Sequence, residues 1–319
     1  MRNINLMKPV LCLLMLMVTA IATDLSLKEG CPKSSDVQPC KCESGQYTVL
    51  QCNHIENTDT LWNVFRKSTK YAFQEVHIQF SAFLYLPRDI FEIVPVKSLY
   101  LKNTTLSTLF DQPPQSLDAL DTLHLENALF MRGIIWSLFE PLTHLRIVNI
   151  YHNSIKTLGQ DFSKYVSKEL EQLTFYATGT KSIKPGTLVD FVKLRKVAFE
   201  NCRLASLTRD IFPNPFDVRV LHFNNNKLTT IPEDLFSNMP ELQTVGLRFN
   251  QITVIPATTF QGSFSKIEWL MLDGNPIICD CRLWWLIRNK PSALSGKCAS
   301  PTMLQGKDIK NVDEDYFKC

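Results

Sequence analysis

The sequence predicts an α/β solenoid: a curved horseshoe of about nine stacked repeats, with a parallel β-sheet on its concave side and a disulfide cap at each end. Two observations carry that expectation. A short apolar pattern recurs in phase along the chain, and eight of the ten cysteines gather in two clusters outside it. A composition of 45% hydrophobic and 20% charged residues adds that the 319-residue chain buries a core rather than staying disordered.

The repeat is clearest from Leu194, where L-R-K-V-A-F-E-N-C-R-L follows the pattern L-x-x-L-x-L-x-x-N/C-x-L, the signature of a leucine-rich repeat. The Asn/Cys position recurs at Ser81, Thr104, Ala128, Asn153, Thr178, Cys202, Asn226, Asn250 and Asn275, in steps of 23 to 25 residues. Nine repeats are therefore expected over residues 73–276. About ten residues beyond that position a Phe often follows, at Phe91, Phe212, Phe236 and Phe260.

Within each repeat the x-L-x-L-x piece alternates with period two, so its leucines point inward and the residues between them face solvent. Stacked repeats then share one parallel sheet. The rest of each repeat returns as a turn or short helix on the outer side, with its Phe packing beneath the next repeat. The outer arc needs more room than the strand spacing of about 4.8 Å, so the stack curves and the sheet lines the concave side. An Asn at the template position can use its amide to satisfy backbone groups that have no ladder partner. Ala128 cannot, and a looser or water-filled turn is expected there.

A solenoid leaves an apolar face open at each end, which calls for caps. The cysteine clusters, Cys31, Cys40, Cys42 and Cys52 at one end and Cys279, Cys281, Cys298 and Cys319 at the other, lie where caps must be. The caps are expected over residues 23–72 and 277–319. Spacing alone allows three connectivities in each cluster. The arrays C-P…C-x-C…C from Cys31 and N-P-I-I-C-D-C…W-W-L…C…C from Asn275 resemble the cysteine-rich flanking modules of extracellular leucine-rich-repeat proteins. That resemblance implies the pairs Cys31–Cys42, Cys40–Cys52, Cys279–Cys298 and Cys281–Cys319, with Trp284 and Trp285 plugging the last repeat. A zinc site at the C-x-C pairs is the rival reading, which an oxidising compartment disfavours. Cys202 occupies the repeat position in register and reads as a buried core cysteine rather than a reactive thiol.

Residues 1–22 read as a secretory signal: Arg2 and Lys8 flank an apolar run from Val10 to Ala22 that ends in Ala20-Ile21-Ala22. The run is shorter than the roughly 20 residues that span a bilayer, so a retained anchor is the weaker reading. No transmembrane or lipid anchor is expected, and the protein is expected to be secreted and extracellular. Removing Arg2 and Lys8 lowers the formal charge from +3 to +1, spread over mixed signs. A nucleic-acid binder needs a basic stripe, and none is legible.

The register places nine residues in each of three solvent-facing columns of the concave sheet. Among them Tyr100, His124, Tyr151 and Tyr176, with His152 beside them, converge on the middle repeats. Aromatic side chains with a polar tip anchor interfaces, which makes these five the candidate partner-binding residues. The competing reading is that they only stabilise cross-strand packing. His77 and His124 share a column two strands apart, roughly 10 Å, a poor spacing for one metal ion, and no metal or cofactor is expected. Asn103-Thr104-Thr105 is an N-glycosylation sequon, with Asn103 the acceptor. No nucleophile, zinc-protease, phosphate-loop or dinucleotide motif occurs, and an enzyme is not expected.

The function expected is therefore non-enzymatic: an extracellular module that grips a receptor, ligand or matrix protein on its concave face. The overall plan also resembles secreted arthropod leucine-rich-repeat proteins, among them the non-catalytic subunit of Oplophorus luciferase. That resemblance implies an alternative, a stabilising subunit of a secreted enzyme complex. A homodimer through the concave sheet is a third arrangement the sequence leaves open.

Overall fold

A computed structural model describes residues 27–115, 119–260 and 262–317. The expected signal at residues 1–22 lies outside the described residues, as does Cys319.

The chain builds a 12-stranded sheet whose strands follow one another in sequence order. It opens with an antiparallel hairpin, β1 (Lys41–Ser44) and β2 (Thr48–Asn53). Parallel strands follow: β3 (Phe73–Ala82), β4 (Val96–Leu106), β5 (Thr122–Phe130) and β6 (Ile147–Tyr151). The remaining strands are Gln172–Tyr176, Lys196–Glu200, Val220–His222, Thr244–Gly246, Trp269–Met271 and, within the C-terminal cap, Ala293–Ser295. The fold is a curved leucine-rich-repeat solenoid, as the periodicity predicts.

Period-two alternation sets the register. Val76, Leu99, Leu123, Val148, Leu173, Val197, Leu221, Val245 and Leu270 stand side by side and are fully buried. A second buried row runs from Ile78 to Leu272. Each such side chain contributes about 1.5–3 kcal/mol relative to exposure, and a slip of one residue would turn both rows to solvent. On the outer side, short helical turns such as Ile90–Ile93, Gln160–Tyr165 and Ala257–Phe260 return the chain. Their aromatics pack from repeat to repeat: Phe91 against Phe110 at 6.2 Å and Phe236 against Phe260 at 5.0 Å between centroids.

The template Asn satisfies backbone groups of neighbouring turns. Asn226 Nδ2 donates to the carbonyls of Phe199 and Phe223 at 2.7 and 3.0 Å, and its Oδ1 accepts from Leu204 N–H at 3.0 Å. Asn250 and Asn275 repeat the pattern. Cys202 is a free, buried thiol within 3.3 Å of Thr178 Oγ1 and Glu200 O. At the first three repeats, which carry Ser81, Thr104 and Ala128 in that place, the solution differs: β3, β4 and β5 keep pairing beyond the corner, Thr104 with Ala128 and Leu106 with Phe130, so backbone bonds replace the amide. At Ala128 itself a cleft of about 520 Å³ opens toward Asn153, where the missing amide led us to expect a looser turn.

One feature of the repeat has only a partial sequence signature, Asn or Gly at five of its nine positions. The residue before the template position is left-handed in every repeat: Phe80, Asn103, Asn127, His152, Ala177, Asn201, Asn225 and Phe249 have φ between 50° and 57°, and Gly274 has φ 74°. This turns the chain out of the sheet and leaves the side chain on the corner.

Both ends are capped. Cys31 pairs with Cys42 and Cys40 with Cys52, with Cα atoms 5.7 and 4.2 Å apart. Helix Thr58–Lys67, N-capped by Asn57 through Thr60 N–H, lays Leu61, Val64 and Phe65 on the first repeats. At the other end Cys279 pairs with Cys298. Cys281 is also disulfide-bonded, and its expected partner Cys319 lies outside the described residues. Trp284 and Trp285 pack against the core, Trp285 Nε1 donating to Ile255 O at 3.2 Å and its ring lying 5.0 Å from Phe264.

Candidate functional site

The concave columns are in register as expected, one of them running Glu75, Ser98, Thr122, Ile147, Gln172, Lys196, Val220, Thr244 and Trp269. Parallel strands at one spacing bring equivalent side chains into contact, and where those side chains are rings they stack. His77 lies on Tyr100 with centroids 4.4 Å apart and planes 18° apart. Tyr100 is 5.3 Å from His124, His124 is 5.0 Å from Tyr151, and Tyr151 is 5.9 Å from Tyr176. Five rings thus form one continuous ladder across five strands.

Four of the five candidate residues, Tyr100, His124, Tyr151 and Tyr176, belong to this ladder. His152 stands apart from it. It is the exposed left-handed residue at the end of β6, and its ring meets the edge of Tyr176 at 5.6 Å. The sequence reading did not place His77 in the patch, although its place in the Tyr100–His124 column was the signal. Tyr100 separates His77 from His124, so the two imidazoles each face a phenol ring rather than one another.

Acidic groups border the ladder. Glu75 Oε2 lies 2.7 Å from His77 Nε2, and Glu126 Oε2 lies 3.7 Å from His124 Nε2 while also pairing with Lys102 at 3.0 Å. Burial between two rings holds the His124 pKa below its usual value against the opposing pull of Glu126. Burial, followed by the nearby carboxylates, raises the phenols of Tyr100 and Tyr151, which stay protonated hydrogen-bond donors. Because ring faces cover one another, the ladder offers a partner its ring edges, hydroxyls and imidazole nitrogens.

Beyond Tyr176 the sheet dips. Thr174, Ala198 and Gly246 occupy the central column and are buried. His222 and Asn224 lie across this floor, and both reach Glu200 Oε1, at 3.2 and 2.6 Å. The His222 contact is the first cause of a lowered Glu200 pKa. Gly246 leaves space for this arrangement, since a Cβ there would sit 2.8 Å from the Asn224 amide. Asn103 lies at its corner, half-exposed, its Oδ1 accepting from Asn127 Nδ2 at 2.8 Å, with Thr104 buried beside it.

The family described as leucine rich repeat matches residues 192–252. Over 65 residues the chain is 38% identical to leucine-rich repeat and immunoglobulin-like domain-containing nogo receptor-interacting protein 1 of Xenopus tropicalis, a match covering 18% of this chain and 11% of that protein. The chain thus spans about a tenth of the length of the curated relatives it matches. Among solved structures, a chain of the octameric complex of Latrophilin 3, Unc5D and FLRT2 (LRR) aligns with a TM-score of 0.63 at 18% identity, covering 88% of this chain and 98% of that one. The LRR protein LIC12759 of Leptospira interrogans aligns with a TM-score of 0.58 at 19% identity over 73% and 56% of the two chains. At such identities the likeness is one of fold. Repeat pattern, sheet and caps together define a leucine-rich-repeat protein with flanking disulfides. Among the described residues no helix is long and apolar enough to cross a membrane.

Proposed function

We propose that this chain is a secreted, extracellular and non-enzymatic protein-binding module that holds a protein partner (a receptor, a ligand or a matrix component) on its concave face. The single observation that carries this reading is the half-exposed ladder of two histidine and three tyrosine rings from His77 to Tyr176 on a rigid sheet. Rigid amphipathic rings lose little entropy on binding and dominate interface energies. A relative named for interacting with the nogo receptor supports a binding role, and disulfides at both ends fit an oxidising compartment.

In this reading residues 1–22 are removed, residues 23–72 and 277–319 are the caps, Cys281 bonds Cys319, and Asn103 carries a glycan. Intact mass of the protein exported from cultured cells, before and after glycosidase treatment, checks cleavage after Ala22 and occupancy of Asn103. For the binding face, partners captured from the extracellular fluid are identified, purified and titrated against wild type and against Tyr100/Tyr151/Tyr176→Ala. Affinity should fall at least about a hundred-fold, as expected for a hot-spot cluster worth more than about 2.7 kcal/mol. Equal affinity for a correctly folded variant would refute the concave site.

A further inference from the structure

Past the left-handed corner, β3, β4 and β5 continue as a sheet on the flank of the solenoid, Ser81 pairing with Thr104 and Thr104 with Ala128. On the concave side of the corner the same register holds, Gln79 with Lys102 and Lys102 with Glu126. The corner residues between those pairs therefore form a row of their own, Phe80, Asn103 and Asn127, each about 4.8 Å from the next along the sheet. His54, itself left-handed and exposed, extends the row at its N-terminal end, its ring 6.0 Å from that of Phe80 with the planes 23° apart.

Phe80 is 52% exposed at φ 50°, a backbone conformation that suits Asn or Gly better than an aromatic residue. The other phenylalanine corner has a partner within the fold: Phe249 lies over Gly274, where a Cβ would come 2.4 Å from its ring. Phe80 rests on His54 by one face only. Because the two rings are nearly parallel and the row runs on to Asn103, the uncovered face of Phe80 is turned toward that asparagine. The Asn103 amide is oriented to meet it. Its Oδ1 accepts from Asn127 Nδ2 at 2.8 Å, which holds the oxygen toward β5. The trigonal geometry at Cγ then sends Nδ2, the atom that a glycan would occupy, away from Asn127 and to the Phe80 side.

We infer that Phe80, backed by His54, is a stacking platform for the glycan of Asn103, its free ring face receiving the apolar face of the first N-acetylglucosamine. This inference rests on the reading of Asn103 as a glycan acceptor. A pyranose ring with equatorial substituents presents a face of C–H groups, and such groups settle on the electron-rich face of an aromatic ring. The first sugar is bonded directly to Nδ2, and Phe80 stands one strand spacing away, so the contact needs no movement of the backbone. Docked in this way the glycan lies along the corner toward the N-terminal cap and covers Phe80 and His54. The later strands, which carry Tyr151 and Tyr176, stay open to a partner. A protein partner fits Phe80 less well, because the acceptor is the next residue in the row and a sugar there occupies the approach.

The test uses the full chain exported from cultured cells as wild type, Phe80→Ala, Phe80→Tyr and Asn103→Gln. Intact mass comes first, since an unmodified Asn103 refutes the glycan reading and this inference with it, whereas every later outcome bears on the inference alone. An endoglycosidase that leaves one N-acetylglucosamine on Asn103 then gives a homogeneous sample for NMR. Nuclear Overhauser contacts should join the Phe80 ring to the pyranose C–H protons, and those protons should resonate upfield under the ring current. Both signatures should vanish in Phe80→Ala and persist in Phe80→Tyr. In urea unfolding, Phe80→Ala should lower the folding equilibrium constant at least about three-fold more on the glycosylated chain than in the Asn103→Gln background. That comparison cancels whatever the substitution does to the protein alone. The inference is overturned if an occupied Asn103 shows no contact with the Phe80 ring, if the upfield shift survives Phe80→Ala, or if the cost of Phe80→Ala is the same with and without the glycan.

Discussion

His124 lies face to face with Tyr151, the ring centroids 5.0 Å apart and the planes inclined by 21°. Tyr100 covers its other side at 5.3 Å, and Glu126 holds Nε2 at 3.7 Å. An imidazole so enclosed resists a positive charge, and the carboxylate only partly offsets the loss of water.

The folded chain therefore takes up the His124 proton at lower pH than the unfolded chain does. Acidification below the usual histidine pKa of about 6.5 favours unfolding through this group, and above that value it adds no pH dependence. Glu200 acts lower on the scale: its depressed pKa stabilises the fold above the usual carboxylate range and that contribution is lost as pH falls through the depressed value. Melting curves taken between about pH 8 and about pH 5.5 isolate the histidine. Wild type should lose more Tm over the acidic half of that range than His124→Phe, and parallel curves would exclude the sandwiched imidazole as the cause.

Tyr151 is the hinge of the ladder, touching both His124 and Tyr176. Removing the ring in Tyr151→Ala should cost about 1–3 kcal/mol in urea unfolding, from lost stacking and lost burial. Tyr151→Phe keeps the ring and should stay within about 0.5 kcal/mol of wild type. A large loss from Tyr151→Phe would mean that the hydroxyl, not the ring, fixes the residue.

The repeat register was legible because one face of every strand is buried, and a single inward row from Val76 to Leu270 admits only one phase. Asn226, Asn250 and Asn275 were legible for a related reason, since a buried turn needs an amide there. The left-handed corners were not. Asn103, Asn127, Asn201, Asn225 and Gly274 are residues that favour positive φ, but Phe80, His152, Ala177 and Phe249 at the other corners break the pattern. Nor was the flank sheet. Ser81, Thr104 and Ala128 read as weakened copies of the Asn position, whereas the chain there replaces side-chain bonds by a longer backbone ladder. His77 was legible in the same column as Tyr100 and His124 but was weighed there only as a metal ligand, not as a ring stacking on Tyr100, 23 residues along.

Asn226 and Thr104 occupy equivalent places yet should respond in opposite ways. Asn226→Ala removes the acceptor of Leu204 N–H and the amide donor to Phe199 O, while Phe223 O keeps Asn250 Nδ2, and should cost about 2 kcal/mol. Thr104 Oγ1 is buried and makes no hydrogen bond among the described residues. Thr104→Val should therefore leave stability unchanged or raise it by up to about 1 kcal/mol. This change leaves the sequon intact, because Thr104 is its middle position and Thr105 supplies the hydroxyl; a cost in chemical unfolding like that of Asn226→Ala would show that the Thr104 hydroxyl is satisfied.

Gly246, on the far side of His222 and Asn224 from Glu200, leaves room for the Asn224 amide that bonds Glu200. In Gly246→Ala the new methyl would displace the Asn224 amide, costing about 1–3 kcal/mol by overpacking. The carboxyl of Glu200 should then titrate closer to its ordinary value, observable by carbon NMR. An unmoved Glu200 would show that His222 alone sets it.

The change of bonding scheme between Ala128 and Asn153 also bears on how the molecule comes apart. An array whose units touch only their neighbours behaves as a one-dimensional chain of cooperative blocks, and it divides where coupling between units is least. On the N-terminal side the blocks are tied by amide-to-carbonyl rungs carried round the corner, and further along by asparagine rungs; at the cleft neither kind is complete. Native-state hydrogen exchange should therefore resolve two subglobal opening units with their boundary at that point, the cysteine-capped N-terminal third opening separately from the asparagine-laddered remainder.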